Sequence, residues 1–284
     1  MNKPPVRAGS DLNGLVAPEQ RDVGLSDSAA DLVAYLSEHC AGGDDPSTTE
    51  TNGPRPVIST PVGAICNRDG NDSESPRSLI ALQNALRRCR DCAHMRGPPV
   101  HGEPVASPVM LIGQAPGTKE IEQARPFCWT AGKTLFRWFE PLGLDEPTFR
   151  QRVYMTAVCR CFPGKNPRGG DRVPDRVEIA ACARWWQREI ELVQPRLIIA
   201  VGKLAIGCFV RVDRLDAVVG QHWRLTSGPG TGADLVPLPH PSGASTWFKT
   251  EPGRTLLARA LELIASHPSW RAITRTPALG GGHD

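Results

Sequence analysis

No stretch of this 284-residue sequence is long and apolar enough to cross a bilayer. The longest apolar runs, "PVMLIG" and "RLIIAVG", are strand-length. The opening residues "MNKPPVRAGSDLNG" carry no apolar core segment, so no secretory leader is expected and the expected location is cytoplasmic. A lopsided charge is missing too. The formal net charge is only +3, which permits nucleic-acid binding without requiring it. No internal repeat is visible, which sets aside solenoids and propellers.

What is present fits a globular protein: 40% hydrophobic residues, enough for one sizeable domain or two small ones. Nine cysteines are an odd number, and in a reducing setting they argue against a disulfide framework. Metal ligation or burial has to account for most of them.

Residues 1–75 are rich in Gly, Pro, Ser, Asp and Thr, as in "AGGDDPSTTETNGPRPVISTPVG", and are expected to form a largely disordered extension. Within it, "DSAADLVAYLSEHC" places Leu32, Tyr35 and Leu36 at helical spacing. Residues 271–284 are expected to be a flexible tail. Between these ends, over 76–270, helical and strand patterns alternate. A helix "PRSLIALQNALRRC" leads to "CRDC", followed by a strand over 109–112 and a glycine-rich loop. A helix over 130–142 puts Leu135, Phe136, Trp138, Phe139 and Leu142 on one face. A strand over 153–158 precedes a helix starting at Pro174, with Ile179, Cys182, Trp186 and Ile190 along its seam. The strands "RLIIAVG" and "DLVPLPH", a short helix over 203–210 and a helix over 254–266 complete the pattern. Alternation of this kind predicts an α/β fold: a three-layer α/β/α domain around a central four-stranded parallel sheet.

In such a sheet, ligands sit beyond the carboxyl ends of the strands. Two features fall there: the loop Gly113, Gln114, Ala115, Pro116, Gly117, and His240, which is held between two prolines in "PHPSG". A third constellation is built from thiols. Cys89 and Cys92 form C-x2-C, Cys161 follows a strand end and Cys182 lies on the next helix. Four such thiolates suit an iron–sulfur cluster or a zinc ion. Cys159 competes with Cys161 for the third place, and Cys40, Cys66, Cys128 and Cys208 have no companions.

With "CRDC", "GQAPG", "RPF", "TAVCRC" before a Pro, "EIAAC" and "HPSG" in this order, the chain from about Leu79 to Ser266 resembles the uracil-DNA glycosylase superfamily, most closely its iron–sulfur branch, family 4. The resemblance implies excision of uracil or a related deaminated base from DNA in base excision repair. It implies that the Gly113–Gly117 loop surrounds the flipped base, that Phe127 stacks on it and that His240 supports a base oxygen. It also implies that Cys89, Cys92, Cys161 and Cys182 hold a [4Fe–4S] cluster, which favours Cys161 over Cys159 and iron–sulfur over zinc. Two positions depart from the family 4 pattern. Gln114 stands in place of Glu, and Ala157 stands where an Asn reads the edge of uracil. Gln114 matches the loop of family 1 enzymes, but Ala115 stands where those have their water-activating Asp.

The chemistry expected is base flipping followed by hydrolysis of the N-glycosidic bond. His240 and Gln114 are the expected catalytic side chains, assisted by the loop amides. Lys133, Arg160, Lys165 and Arg168, with Ser242 and Gly243 beside His240, are the candidate DNA contacts. Trp247 and Phe248 fit either a wedge into the duplex or core packing. The expected partner is DNA containing a damaged base, bound by a monomer without a membrane. Two other readings stay open: a lesion-binding protein of the same fold with little turnover, and a metal-cluster nucleic-acid-binding module.

Overall fold

The computed structural model describes residues 21–23 and 74–275, apart from 168 and 244. Among the described residues six strands make one sheet: β1 (Arg21–Val23), β2 (Val109–Gly113), β3 (Tyr154–Ala157), β4 (Leu197–Val201), β5 (Trp223–Leu225) and β6 (Asp234–Leu238). Their spatial order is β1-β5-β6-β4-β2-β3. β3, β2, β4 and β6 are parallel neighbours, the four-stranded parallel sheet anticipated above. The sheet is wider than expected, because β5 pairs antiparallel with β6 and the three-residue β1 adds to β5. Every residue of β2 and β4 is buried, as their unbroken apolar runs require of central parallel strands.

The helices are α1 (Glu74–Arg87), α2 (Thr118–Gln123), α3 (Thr130–Phe139), α4 (Glu146–Arg152), α5 (Arg176–Val193), α6 (Lys203–Gly207), α7 (Gly253–Ser266) and α8 (Pro268–Arg275). The chain steps one way from β2 to β3 and the other way from β3 to β4. Right-handed crossovers therefore put α3 and α4 on one face and α5 on the other. On the first face Phe136, Phe139, Phe149 and Trp270 interlock with ring centroids 4.8–6.1 Å apart, joining α3, α4 and α8. On the second, α1 packs on α5, and Trp186 of α5 meets Phe209 edge-on at 5.8 Å.

Element ends differ from the sequence expectation where side chains compete for the backbone. α5 begins at Arg176, not at Pro174, because Asp175 is the cap. Its carboxylate accepts the Glu178 amide, and the Glu178 carboxylate accepts the Asp175 amide, each at 2.9 Å. α3 stops at Phe139, and the turn Glu140–Leu142 around Pro141 is 3₁₀. α8 runs to Arg275, so residues 271–275, expected to belong to a flexible tail, are helical. Residues 21–23 pair in the sheet despite lying in the segment expected to be disordered. The anticipated helix containing Leu32, and Cys40 and Cys66, lie outside the described residues. No helix among the described residues is long and apolar enough to cross a membrane.

Candidate active site and thiol cavity

The carboxyl ends of β2 and β3 and the segment after β6 open on a cavity of about 930 Å³. The sheet reverses its winding direction here, which is where a doubly wound fold leaves a crevice. Gly113, Gln114, Ala115, Pro116 and Gly117 leave β2 along its wall, and Phe127, Ala157, His240, Ser242 and Gly243 line it as well. The sequence-separated pieces are thus brought into one space.

Gly113 is required by contact. A Cβ there would lie 3.0 Å from Cζ of Phe127, so the ring sits directly on the strand end. Phe127 itself adopts φ +52°, a left-handed conformation that side chains other than glycine rarely take. It is held there by Arg150, 9% exposed, whose guanidinium donates to the carbonyls of Pro126 (2.8 Å) and Phe127 (3.0 Å). Gly132 admits the same loop, since a Cβ on it would fall 1.7 Å from the Phe127 carbonyl oxygen. Arg150 and Gly132 were not singled out from the sequence. Their roles depend on a loop conformation that sequence spacing does not reveal.

At the far side of the wall, His240 follows β6 and packs on Gly202, where a Cβ would lie 3.2 Å from the imidazole Cδ2. The Ser242 amide donates to Nδ1 at 3.2 Å. Burial holds the imidazole below its ordinary pKa of 6.5, and the negative charge of Asp171 opposes that shift. The ring is therefore neutral near pH 7 with its proton on Nε2, a donor fixed in place.

The Gly117 amide departs from expectation. It donates to the Glu120 carboxylate at 3.1 Å, capping the first turn of α2, and so is not a free donor for a bound base. Pro116 has no N–H, which leaves Gln114 and Ala115 as the loop's amides facing this problem.

A second cavity, of about 360 Å³, is lined by Cys89, Cys92, Cys161 and Cys182 together with Leu86, Met95 and Pro98. Cys161 belongs to it and Cys159 does not. Cys159 is fully buried beneath, its thiol donating to the Glu178 carbonyl at 3.7 Å. Desolvation, then the neighbouring thiols Cys182 and Cys89, push Cys92 up to about 11. The same sequence of causes pushes Cys161 up to about 12. The adjacent Cys159 thiol acts the other way on Cys182 and brings it down to about 7. Among the described residues no group of three His, Cys, Asp or Glu side chains is set to clasp a single metal ion. The four thiols instead ring a common volume.

Residues 99–265 match the model of the uracil DNA glycosylase superfamily. The chain belongs to this superfamily. It is 35% identical over 218 residues to the type-4 uracil-DNA glycosylase of Saccharolobus solfataricus, covering 73% of this chain and 94% of that protein. With the type-4 uracil-DNA glycosylase of Sulfurisphaera tokodaii it shares 33% identity over 131 residues, 44% of this chain but only 55% of that protein. A type-5 uracil-DNA glycosylase of Pyrobaculum aerophilum is 25% identical over 205 residues, covering 66% of this chain and 88% of that protein.

The anticipated DNA contacts divide at the rim of the large cavity. Lys165 is 62% exposed at the rim, and Lys133 is exposed on the first turn of α3. Lys133 and Lys119 both stand over the ring of Trp129, at 5.8 and 5.9 Å, and Trp129 is 47% exposed. This cation–aromatic group was not anticipated. Arg168 lies outside the described residues. Arg160 is a correction: it is 1% exposed and paired with Glu189, also 1% exposed, so it is no phosphate grip. It donates to the Val100 carbonyl at 3.3 Å, while Thr156 donates to the other Glu189 oxygen at 2.5 Å. Arg160 lines both cavities and forms part of the partition between them. Phe248 meets Trp138 edge-on at 5.2 Å, and both it and Trp247 pack partly buried against the core. Their observed role is packing.

Proposed function

We propose that this protein is a DNA glycosylase that flips uracil, or a related deaminated base, out of DNA and hydrolyses its N-glycosidic bond. The observation that carries the proposal is the neutral His240, with Nδ1 occupied by the Ser242 amide, lining the same cavity as the Phe127 ring. The bond breaks with negative charge on the base and positive charge on the sugar. His240 Nε2–H would donate to the base oxygen on which charge grows, and one preorganised donor of this kind is worth about 3 kcal/mol. Phe127 would offer a stacking face that tolerates different bases. Gln114 would orient the water. Lys133, Lys165, Ser242 and Gly243 would hold the flanking phosphates. The relatives named type-4 uracil-DNA glycosylase support uracil as a substrate.

Cys89, Cys92, Cys161 and Cys182 would hold a [4Fe–4S] cluster. Four thiols around one volume suit it, and the guanidinium of Arg184, paired with Asp91, lies 3.9 Å from the Cys89 sulfur. The cluster would tie α1, the segment after β3 and α5 together. Single- and double-stranded oligonucleotides carrying one uracil, hypoxanthine or xanthine, followed by alkaline cleavage and gel separation, test the activity. Strand cleavage at uracil is expected. Tight binding of the damaged strand without cleavage of any of these substrates would overturn it.

A further inference from the structure

We propose that Asp171 supplies the carboxylate that the Gly113–Gly117 loop lacks, taking the proton of the attacking water and facing the sugar as positive charge grows on it. The inference rests on the glycosylase reading above and adds a catalytic residue to it.

The need comes from the chemistry. When the C1′–N bond breaks, its electron pair leaves with the base, and C1′ is left electron-poor. A water oxygen then donates a lone pair to form the C1′–O bond, and one of its protons has to go elsewhere. A carboxylate beside C1′ serves both stages, by charge in the first and as a base in the second. Gln114 and Ala115 offer neither.

Of the residues lining the large cavity, two carry a carboxylate: Glu120 and Asp171. Glu120 is committed to the Gly117 amide. Asp171 is differently placed. Its Oδ1 accepts from Lys165 Nζ at 2.5 Å. Its Oδ2 hangs over the loop, 3.1 Å from where a Cβ on Gly117 would sit, and no described residue donates a hydrogen bond to it. A side chain at 117 would crowd this approach. The charge of Asp171 also reaches His240. Carboxylate and imidazole donor therefore address the same space, one suited to the sugar cation and the other to the base anion.

The backbone fixes this position. Between β3 and α5 the chain folds into a tight antiparallel turn, with Lys165 bridged to Asp171 and the Asn166 amide donating to the Gly170 carbonyl at 3.0 Å. The next residue, Arg172, grips both oxygens of Glu178 at 2.8 and 2.6 Å and donates to the Pro163 carbonyl at 2.9 Å. The turn is thereby anchored on the first turn of α5. Asp171 is presented from a separate segment by a braced arm, at the half-exposed mouth where water enters.

The test uses the purified full chain with its cluster, an oligonucleotide carrying one uracil, and enzyme in excess. Asp171→Asn keeps an acceptor for Lys165 but cannot take a proton. We expect its single-turnover rate to fall about 100-fold or more, while the Kd for the same DNA, read by fluorescence anisotropy, stays within about threefold because the group acts on the transition state. Asp171→Glu should recover part of the rate. Wild-type excision that Asp171→Asn leaves unchanged would overturn the role of Asp171 alone. So would an equal loss of rate and thermal midpoint in Asp171→Asn and Asp171→Ser, which would make the residue a brace. Wild-type protein that releases no uracil would overturn the functional reading, and this role with it.

Discussion

The backbone amide of Ser242 donates to Nδ1 of His240 at 3.2 Å, across a two-residue turn that follows β6. A ring nitrogen that accepts cannot carry the proton, so the proton is on Nε2. Pro239 and Pro241 restrict the chain on both sides, and Gly202 backs the ring. Tautomer and direction are thus set before any substrate arrives.

His240→Ala is therefore expected to lower the single-turnover rate at least about tenfold with little change in DNA affinity, since the lost donor acts on charge that develops during the reaction. Gln114→Ala should cost less. Single-turnover rates paired with anisotropy titrations measure both effects, and unchanged rates in both variants would move the active site elsewhere.

The same histidine predicts a pH effect on stability. Its folded pKa lies below the ordinary 6.5, so the unfolded chain binds the proton more readily. Stability should be at its full value above about pH 6.5 and fall as the pH drops from there through the lowered folded pKa. His101, likewise lowered by burial, adds to the slope. Urea midpoints measured from pH 7.5 to 5 should decline for the wild type and decline less steeply for His240→Asn. A variant slope equal to that of the wild type would show that the imidazole is not desolvated.

The thiol cavity predicts colour. Purified protein should be brown with near four irons and four sulfides per chain. Cys89→Ala and Cys182→Ala should bleach it and lower the thermal midpoint, because a tie between three segments is lost. Cys159→Ala should keep the colour yet lose about 1 kcal/mol, since its side chain is fully buried and hydrogen-bonded beneath Cys182. Colourless protein with stoichiometric zinc would overturn the cluster.

The partition between the two cavities predicts a folding defect rather than a DNA-binding one. Glu189→Gln leaves the Arg160 guanidinium charged in a dry site, and removal of one partner of such a pair costs about 3–5 kcal/mol. Arg160→Met with Glu189→Leu should cost less than Glu189→Gln, because no lone charge remains. Denaturant unfolding checks the order. If Arg160→Met weakened DNA binding at high stability instead, the residue would be a phosphate contact after all.

How much of this was legible follows from what each feature depends on. The four parallel strands and α1, α3, α5 and α7 are written in apolar runs and local periodicity, so pattern alone finds them. β5 is three residues long, and α2 buries no side chain, so neither has a pattern to read. The cavity residues Gly113, Phe127, Ala157 and His240 could be named because their motifs carry the family's order. Arg160 was misread because nothing near it in sequence indicates Glu189, 29 residues on, as its partner. Asp171 was passed over as part of a basic stretch, "GKNPRGGDR", since its approach to Gly117 exists only after the turn has folded.

Base range is expected to turn on Ala157. It is the last residue of β3, in register with Gly113 on β2, half-buried, and it lines the large cavity. The next backbone amide, Val158, is already used by the Gly113 carbonyl at 2.9 Å, so this strand end offers a bound base no donor from that amide. A site that hydrogen-bonds a base edge rejects the wrong base by leaving buried groups unpaired. With a methyl group here, discrimination rests on stacking against Phe127, the His240 donor and the volume available. Excision of uracil at a modest rate is therefore expected, together with measurable release of hypoxanthine or xanthine. Ala157→Asn would project an amide into the same space. It should raise the single-turnover rate on uracil and reduce the rate on the two purines, partly by filling the room they occupy. Parallel time courses on the three substrates, wild type against variant, measure both directions at once. A wild-type protein strictly confined to uracil would mean that another residue reads the base edge, and the assignment to position 157 would fail.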